Sequence, residues 1–146
     1  MMNILALLSL GLLSGNELSI GAFVNPSLSR LNAREQAAGS QAMARTLGRV
    51  MPFWMAATLL LLGLAAFQNS KNKRLWGGSA LLMAFVVAWS ATLPLPINNR
   101  VARWELDLLP SNWRTELQTF SLYHNIRVIA LLTSFLLALR GATSNG

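Results

Sequence analysis

Four long apolar segments, separated by polar connections, set the pattern of this chain. They cover approximately residues 4–24, 51–67, 75–95 and 120–139. An α-helix rises about 1.5 Å per residue, so about 20 apolar residues cross a hydrocarbon layer roughly 30 Å thick. The pattern therefore predicts an all-α fold. We expect residues 1–146 to form one integral membrane domain, an antiparallel four-helix bundle.

The first segment has a second interpretation as a cleaved signal peptide, because residues 4–13 have the length of a signal-peptide core. The preceding Met-Met-Asn carries no Lys or Arg, and no A-x-A-like cleavage site follows. Both observations favour a helix that stays in the mature protein.

The three connections between these segments differ in length and character. The first, residues 25–50, combines arginines with loosely spaced apolar residues, a pattern typical of an amphipathic helix on a membrane surface. The second is a tight hairpin over residues 68–74. The third, residues 96–119, is long. We therefore expect an interfacial helix in the first connection and an extended loop in the third.

The composition agrees with a membrane protein and narrows its partners. The chain is 53% hydrophobic and 12% charged, with a net charge of +7. A soluble domain typically has about 25% charged residues. Because the positive charges lie between the apolar segments, we expect membrane lipid, including anionic headgroups, as the partner and no nucleic acid.

The distribution of positive charge predicts an orientation. The first and third connections carry seven Lys or Arg, whereas the hairpin and the C-terminal tail carry four. Cytoplasmic loops are usually the more positive ones, so we expect the first and third connections to face the cytoplasm. The seven are Arg30, Arg34, Arg45, Arg49, Arg100, Arg103 and Arg114, and the four are Lys71, Lys73, Arg74 and Arg140.

The last apolar segment is too short to cross a membrane alone. Val128 to Leu139 contains 12 residues, about 18 Å of helix. The helix must therefore begin near Phe120, which places His124 and Arg127 below the membrane surface. A charged Arg at such a depth costs about 2.5–3.5 kcal/mol unless it is paired or reaches water.

Glu17, in the first segment, is the candidate partner of these two side chains. It lies about 20 Å along the helix from Ile4, at a depth similar to that of Arg127. A buried carboxylate also needs a partner, because an isolated charge in hydrocarbon is costly. We therefore expect Glu17 to pair with Arg127, with His124, or with both. Those two are three residues apart and share a helical face.

Other polar and aromatic residues are expected to surround this cluster in a pocket that opens toward the first and third connections. The same residues could also form a network that only fixes the register of the helices. The tryptophans have the additional interpretation of membrane-interface residues. The candidate pocket residues are Asn16, Asn98, Asn99, Trp104, Trp113 and Tyr123.

Three stretches resemble a family of small four-helix integral membrane proteins that includes the anthrone oxygenases. They are "NPSLSRL", "LPINNRVARW" and "LPSNWRTELQTFSLYHNIRV". The most specific part is a P-x-N-N…W…LP…W…H-x-x-R series that ends at His124 and Arg127. The resemblance implies a cofactor-independent oxygenase that uses O2 to convert an anthrone, a small acidic aromatic compound, into an anthraquinone. We accordingly expect a bacterial plasma membrane as its location.

The residue types also argue against a metal or a cofactor, in agreement with this resemblance. With one His and no Cys, the chain cannot assemble a zinc site from several His or Cys ligands, or a bis-His haem site. It also lacks a G-x-G-x-x-G dinucleotide motif. We therefore predict no metal and no cofactor, so that the substrate itself supplies the electrons to O2.

These considerations give two hypotheses for function. In the first, neutral His124 takes a proton from the substrate and Arg127 stabilises the oxyanion that develops. Asn98 or Asn99 donates a further hydrogen bond, while Glu17 holds His124 or balances Arg127. In the second, the protein is not an enzyme and its Glu, His and Arg network is structural. It then binds a protein partner, or relays a proton or an amphiphile.

Overall fold

The computed structural model describes residues 1–144, and every regular element within that range is helical. The all-α prediction is therefore confirmed. The elements are α1 (Met2–Ser19), a π-helical turn (Ile20–Val24), α2 (Asn25–Leu28), α3 (Ala33–Gln68), α4 (Lys73–Thr92), α5 (Pro94–Val101) and α6 (Trp113–Thr143).

Four helical segments are long and apolar enough to cross a membrane, which supports an integral membrane protein. They are Met2–Leu28, Ala33–Gln68, Lys73–Thr92 and Trp113–Thr143. Their outward faces carry exposed large apolar side chains, such as Phe53, Phe67 and Leu81, which are 79%, 84% and 74% exposed. Apolar surface on this scale is unusual for a soluble protein and suits contact with lipid.

The long helices pack side by side, with α1 and α4 each contacting both α3 and α6. Hydroxyl pairs join them in the interior. Ser9 and Thr58 link α1 to α3 at 2.7 Å, and Ser79 and Ser134 link α4 to α6 at 2.9 Å between their oxygens. Because lipid gives helices no hydrophobic reason to associate, small residues and hydrogen bonds of this kind stabilise the contacts.

Helix α3 begins much earlier than the apolar pattern indicated, so the separate interfacial helix predicted in the first connection is wrong. The helix starts at Ala33, where the Asn32 side chain accepts a hydrogen bond from the backbone N–H of Glu35 at 3.0 Å. It then continues for 36 residues, about 54 Å. Only a tilt of more than about 50° would fit this length into the hydrocarbon layer, beyond the usual 0–40°.

The first half of α3 instead packs against the third connection to form a small region that we call the cap. The cap comprises residues 33–50, α5, residues 102–112 and the first two turns of α6. Its interior contains Ala37, Ala44, Ile97, Val101 and Trp104. Much of the third connection is thus helical, and the loop predicted there is correspondingly shorter.

Side-chain hydrogen bonds to backbone carbonyls tie the cap together. Gln41 donates to the carbonyl of Trp104 at 2.6 Å, and Arg45 donates to that of Ala102 at 2.9 Å. α4 ends at Thr92 and α5 begins at Pro94, because a proline has no backbone N–H with which to continue the hydrogen bonds of the preceding helix.

Candidate functional site

The site begins at the C-terminal end of α1, where the helix widens into the π-helical turn. π-helical turns are rare and frequently mark functional sites. Glu17 lies in the last turn of α1 and is 1% exposed. Gly21, in the π-helical turn, lies against α6, where a Cβ atom would be 3.0 Å from Oδ1 of Asn125 and 3.3 Å from Cδ2 of His124. The missing side chain allows α1 to approach α6 closely.

His124 is buried, and each of its ring nitrogens contacts a protein group. Nε2 lies 2.9 Å from the backbone oxygen of Glu17. A carbonyl only accepts, so Nε2 carries the hydrogen. Nδ1 lies 3.0 Å from Nη2 of Arg127. A guanidinium only donates, so Nδ1 accepts. When both contacts are hydrogen bonds, the imidazole is neutral and both of its nitrogens are engaged.

Arg127 completes the cluster. Its Nη2 donates to Oε2 of Glu17 in a buried ion pair, and its Nη1 donates to Oγ of Ser90 at 3.3 Å. The same carboxylate oxygen lies 3.3 Å from Nδ1 of His124. The contact expected from the similar depth is therefore present, because Glu17 forms an ion pair with Arg127. Glu17 is joined to His124 by the hydrogen bond from Nε2 to its backbone oxygen. Glu17, His124 and Arg127 together are called the buried cluster below.

The buried cluster forms part of the wall of a cavity of about 690 Å³, which reaches from the membrane helices into the cap. This volume lies within the range of small-molecule sites, roughly 300–1,000 Å³. Most of the wall is apolar, and the ring of Phe120 stacks on that of His124 with centroids 6.0 Å apart. Apolar wall residues include Ile20, Met43, Met51, Met55, Val87 and Phe120, and polar ones on the cap side include Gln36, Ser40, Arg114 and Gln118.

The two asparagines expected in the pocket are placed differently from each other. Asn98 lines the cavity, but its Nδ2 donates to the carbonyl of Ala44 at 3.1 Å and so helps to hold the cap. Asn99 is exposed and does not line this cavity.

The remaining candidates pack near the cavity without lining it. Asn16 turns toward α3, with its Nδ2 3.8 Å from Sδ of Met51. Trp104 and Trp113 pack edge to face within the cap, with centroids 6.4 Å apart. Tyr123 makes a similar edge contact with Trp89 at 5.7 Å, and its carbonyl accepts from the Trp89 indole. None of these four lines the cavity that contains the buried cluster.

Three residues that the sequence did not single out belong to the site. Gly21 makes room for His124, and Ser90 accepts from Arg127. Asn25 lines the cavity, and its buried Nδ2 has no hydrogen-bond partner among residues 1–144. The sequence feature that could have identified Asn25 is its place in "NPSLSRL", at the end of an apolar segment. Ser90 gave none, because a serine in an apolar helix is common.

The described residues contain no group of three or more His, Cys, Asp or Glu side chains placed to hold a metal ion. The family model for the anthrone oxygenases matches residues 40–137, more than half of the chain. The chain belongs to the anthrone oxygenase family. The family resemblance of the sequence is thereby confirmed.

In this anthrone oxygenase family member, the matched residues include His124 and Arg127 as well as the α3 wall of the cavity from Ser40 onward. Glu17, Gly21 and Asn25 precede the match. No curated protein and no solved structure matches the chain. The family match therefore does not extend to Glu17, the acid of the buried cluster.

Proposed function

We propose that this protein is a cofactor-independent oxygenase that oxidises an anthrone-like aromatic substrate with O2. One observation carries the proposal beyond family membership. A carboxylate, an imidazole and a guanidinium meet on the wall of an otherwise mostly apolar cavity with room for a small aromatic molecule. Apolar walls with a few convergent polar groups are typical of small-molecule sites.

The reaction needs only the substrate and O2. A base removes a proton from the methylene carbon between the two aromatic rings, and the electron pair spreads onto the ring carbonyl oxygen. The resulting anion gives its electrons to O2 and forms a carbon–oxygen bond, which yields a hydroperoxide after protonation. Loss of water then leaves a second carbonyl. Two hydrogens and one oxygen atom leave as water, so the balance closes without an external reductant.

The cavity wall suits both parts of such a molecule. Methionine side chains adapt to irregular shapes and make favourable contacts with aromatic rings, and Met51 and Met55 lie one turn apart on α3. For the oxyanion, the wall offers Arg127 and Asn25, each with a buried nitrogen, Nε and Nδ2, that has no partner within residues 1–144. Asn25 thus takes the donor role first assigned to Asn98 or Asn99. Donors placed before the charge develops contribute strongly to catalysis.

The membrane arrangement is also part of the proposal. We propose an antiparallel four-helix bundle whose cap faces the cytoplasm of a bacterial cell at the plasma membrane. The pairing of helix ends supports the antiparallel order of the helices, and the positive charge of the first and third connections supports the cytoplasmic side. Asn3 near the start of α1 bonds to Asn69 just after α3, and Asn72 just before α4 bonds to the carbonyl of Gly141 near the end of α6.

Oxygen consumption with a panel of anthrones tests the proposed activity. Purified protein in lipid nanodiscs should consume O2 and release an anthraquinone, and Arg127→Met should lower the rate at least about 100-fold through loss of oxyanion stabilisation. Arg34→Ala is the matched control, because Arg34 pairs with Asp107 at the exposed surface of the cap. A wild-type protein that consumes no O2 with any anthrone in the panel would exclude this function.

The competing hypothesis assigns the buried cluster to helix packing alone. Its supporting observation is that both nitrogens of His124 contact protein groups. A structural network predicts that anthrones neither bind in the cavity nor protect Met51 and Met55 from chemical oxidation. In the absence of O2, where no turnover occurs, the enzyme hypothesis predicts protection from an added oxidant that saturates with anthrone concentration.

A further inference from the structure

Glu17 is the residue whose role in the proposed chemistry the structure changes most. The sequence assigned proton removal to His124 and a supporting role to Glu17. We propose instead that the Glu17 carboxylate is the group that takes the proton from the substrate, with His124 as a positioning residue. This inference rests on the proposed oxygenase function.

His124 has no free lone pair on either ring nitrogen. Nε2 of His124 donates to the backbone of Glu17, and the Nδ1 lone pair accepts from Arg127. Neither nitrogen can accept a substrate proton while these bonds are in place. Glu17 makes both of its side-chain contacts through Oε2, and no hydrogen bond reaches Oε1 within residues 1–144. Since Glu17 lines the cavity, Oε1 is the unengaged basic atom of the cluster.

Proton transfer to Glu17 leaves the number of charges in the site unchanged. Glu17 and Arg127 begin as an ion pair. When the carboxylate takes the proton, its negative charge passes to the substrate oxygen and Arg127 remains beside an anion. The site therefore holds one cation and one anion before and after the step. With neutral His124 as the base, the step would add an imidazolium and an oxyanion to an existing ion pair, and additional charges are costly in a buried, mostly apolar site.

The step itself is a simple proton transfer. The methylene C–H bond breaks, its electron pair moves through the ring system to the carbonyl oxygen, and the proton binds Oε1 of Glu17. Carboxylates serve as general bases next to ketones in other enzymes when the oxyanion is stabilised. The proton later leaves with the peroxide oxygen as water, which restores the carboxylate.

Proton removal can be measured separately from oxidation. Without O2, the protein in D2O should exchange the methylene hydrogens of an anthrone for deuterium faster than buffer alone. Glu17→Gln should lower this exchange at least about 100-fold, the usual contribution of a general base. His124→Gln keeps a side-chain N–H donor for the Glu17 carbonyl and should lose less than about 10-fold. Retained exchange in Glu17→Gln with abolished exchange in His124→Gln would overturn the proposal.

A rescue experiment separates proton transfer from a purely structural anion. Glu17→Ala should regain exchange when formate or acetate is added, and the more basic acetate should give the higher rate at equal occupancy. A structural anion would restore the fold with no such dependence, and that result would also overturn the proposal. If Glu17→Gln and Glu17→Ala fail to fold, Glu17→Asp decides, since it keeps the charge but withdraws it by one methylene. Unchanged exchange in Glu17→Asp would contradict the assignment.

The outcomes also separate this inference from the proposed function. A wild-type protein with neither exchange nor O2 consumption refutes the oxygenase function itself. A wild-type protein that is active, with Glu17→Gln equally active, refutes only the role of Glu17.

Discussion

The ion pair between Glu17 and Arg127 joins side chains 110 residues apart in the sequence. Glu17 is almost fully buried and the Arg127 side chain is 10% exposed, so each charge depends on the other for compensation. Breaking a buried pair by removing one partner is much more costly than removing both, because one charge then remains without a partner.

Loss of Arg127 alone should therefore be more destabilising than loss of the pair. We expect Arg127→Met to lower the free energy of unfolding by about 3–5 kcal/mol. The double variant Glu17→Gln/Arg127→Met should recover much of this loss, because it leaves no buried charge. Thermal and denaturant unfolding in detergent micelles measures both effects. A double variant less stable than Arg127→Met would contradict this account of the pair.

Gly21 offers a test of how closely α1 must approach His124. In Gly21→Ala, the added Cβ would lie 3.3 Å from Cδ2 and 3.4 Å from Nε2 of an imidazole that hydrogen bonds hold in place. We expect about a 10-fold lower oxidation rate, since a displacement of under 1 Å in the site is enough for such a loss. Gly15→Ala is the matched control on the same helix, because nothing lies within 4 Å of its added Cβ. Equal rates in the two variants would refute the close-approach argument.

For individual residues, the sequence was sufficient to predict contacts where charge and depth along the helix together limited the possible partners. Glu17 and Arg127 were predicted to meet because both are charged, both lie in apolar segments, and both lie at the same depth. Charge and depth could not distinguish Asn98 from Asn99 as the residue that lines the cavity. They are adjacent and point to different sides of α5, and which one faces the cavity depends on the direction α5 takes after Leu93. Ser90 and Asn25 depend on tertiary contacts alone.

Among the helices, α3 combines two environments in one uninterrupted element. Its second half is an apolar membrane segment, while its first half carries Gln36, Gln41 and Arg45 into the cap. The apolar pattern predicted the membrane part of each long helix, because hydropathy reports directly on lipid contact. It could not predict the cap, since Ala37 and Ala44 are too small to give a clear amphipathic signal and are buried only by contact with α5 and Trp104.

Two contacts across the cap allow buried and exposed interactions to be compared. Gln41 donates to the Trp104 carbonyl in the buried interior, whereas Arg34 pairs with Asp107 where the two side chains are 71% and 85% exposed. Gln41→Ala should lower the free energy of unfolding by about 1–3 kcal/mol, because a buried carbonyl loses its donor. Arg34→Ala should cost less than about 1 kcal/mol.

Limited proteolysis of residues 102–112 provides the readout for this pair of variants. Gln41→Ala should be cleaved there faster than the wild-type protein, and Arg34→Ala at nearly the wild-type rate. The reverse order would indicate that the surface ion pair, and not the buried amide, holds this connection against α3.

The cavity lies where the membrane helices and the cap meet, so both regions contribute to its wall. This location was predicted only in outline, as a pocket opening toward the first and third connections. The volume could not be foreseen, because it depends on how α5 and the start of α6 pack against the projecting half of α3.

The proposed topology can be tested by labelling, because the chain contains no cysteine. Ser70, in the hairpin, and Ser111, in the cap, are both exposed. In sealed vesicles, a membrane-impermeant thiol reagent should label Ser70→Cys and Ser111→Cys from opposite sides. The cytoplasmic assignment predicts that Ser111→Cys reacts in inside-out vesicles. Labelling of both variants from one side would contradict the proposed crossing of the bilayer by α4, the span that lies between them.

The thioether groups that line the cavity have a consequence for any turnover inside it. A peroxide that escapes conversion can pass one oxygen atom to a methionine sulfur, which gives a sulfoxide and an alcohol. Peptide mass spectrometry after prolonged incubation with an anthrone and O2 should find sulfoxide at Met43, Met51 and Met55. Met83, fully buried between the helices and away from the cavity wall, should stay unmodified. The positions of the sulfoxides would then show where in the protein O2 reacts with the substrate.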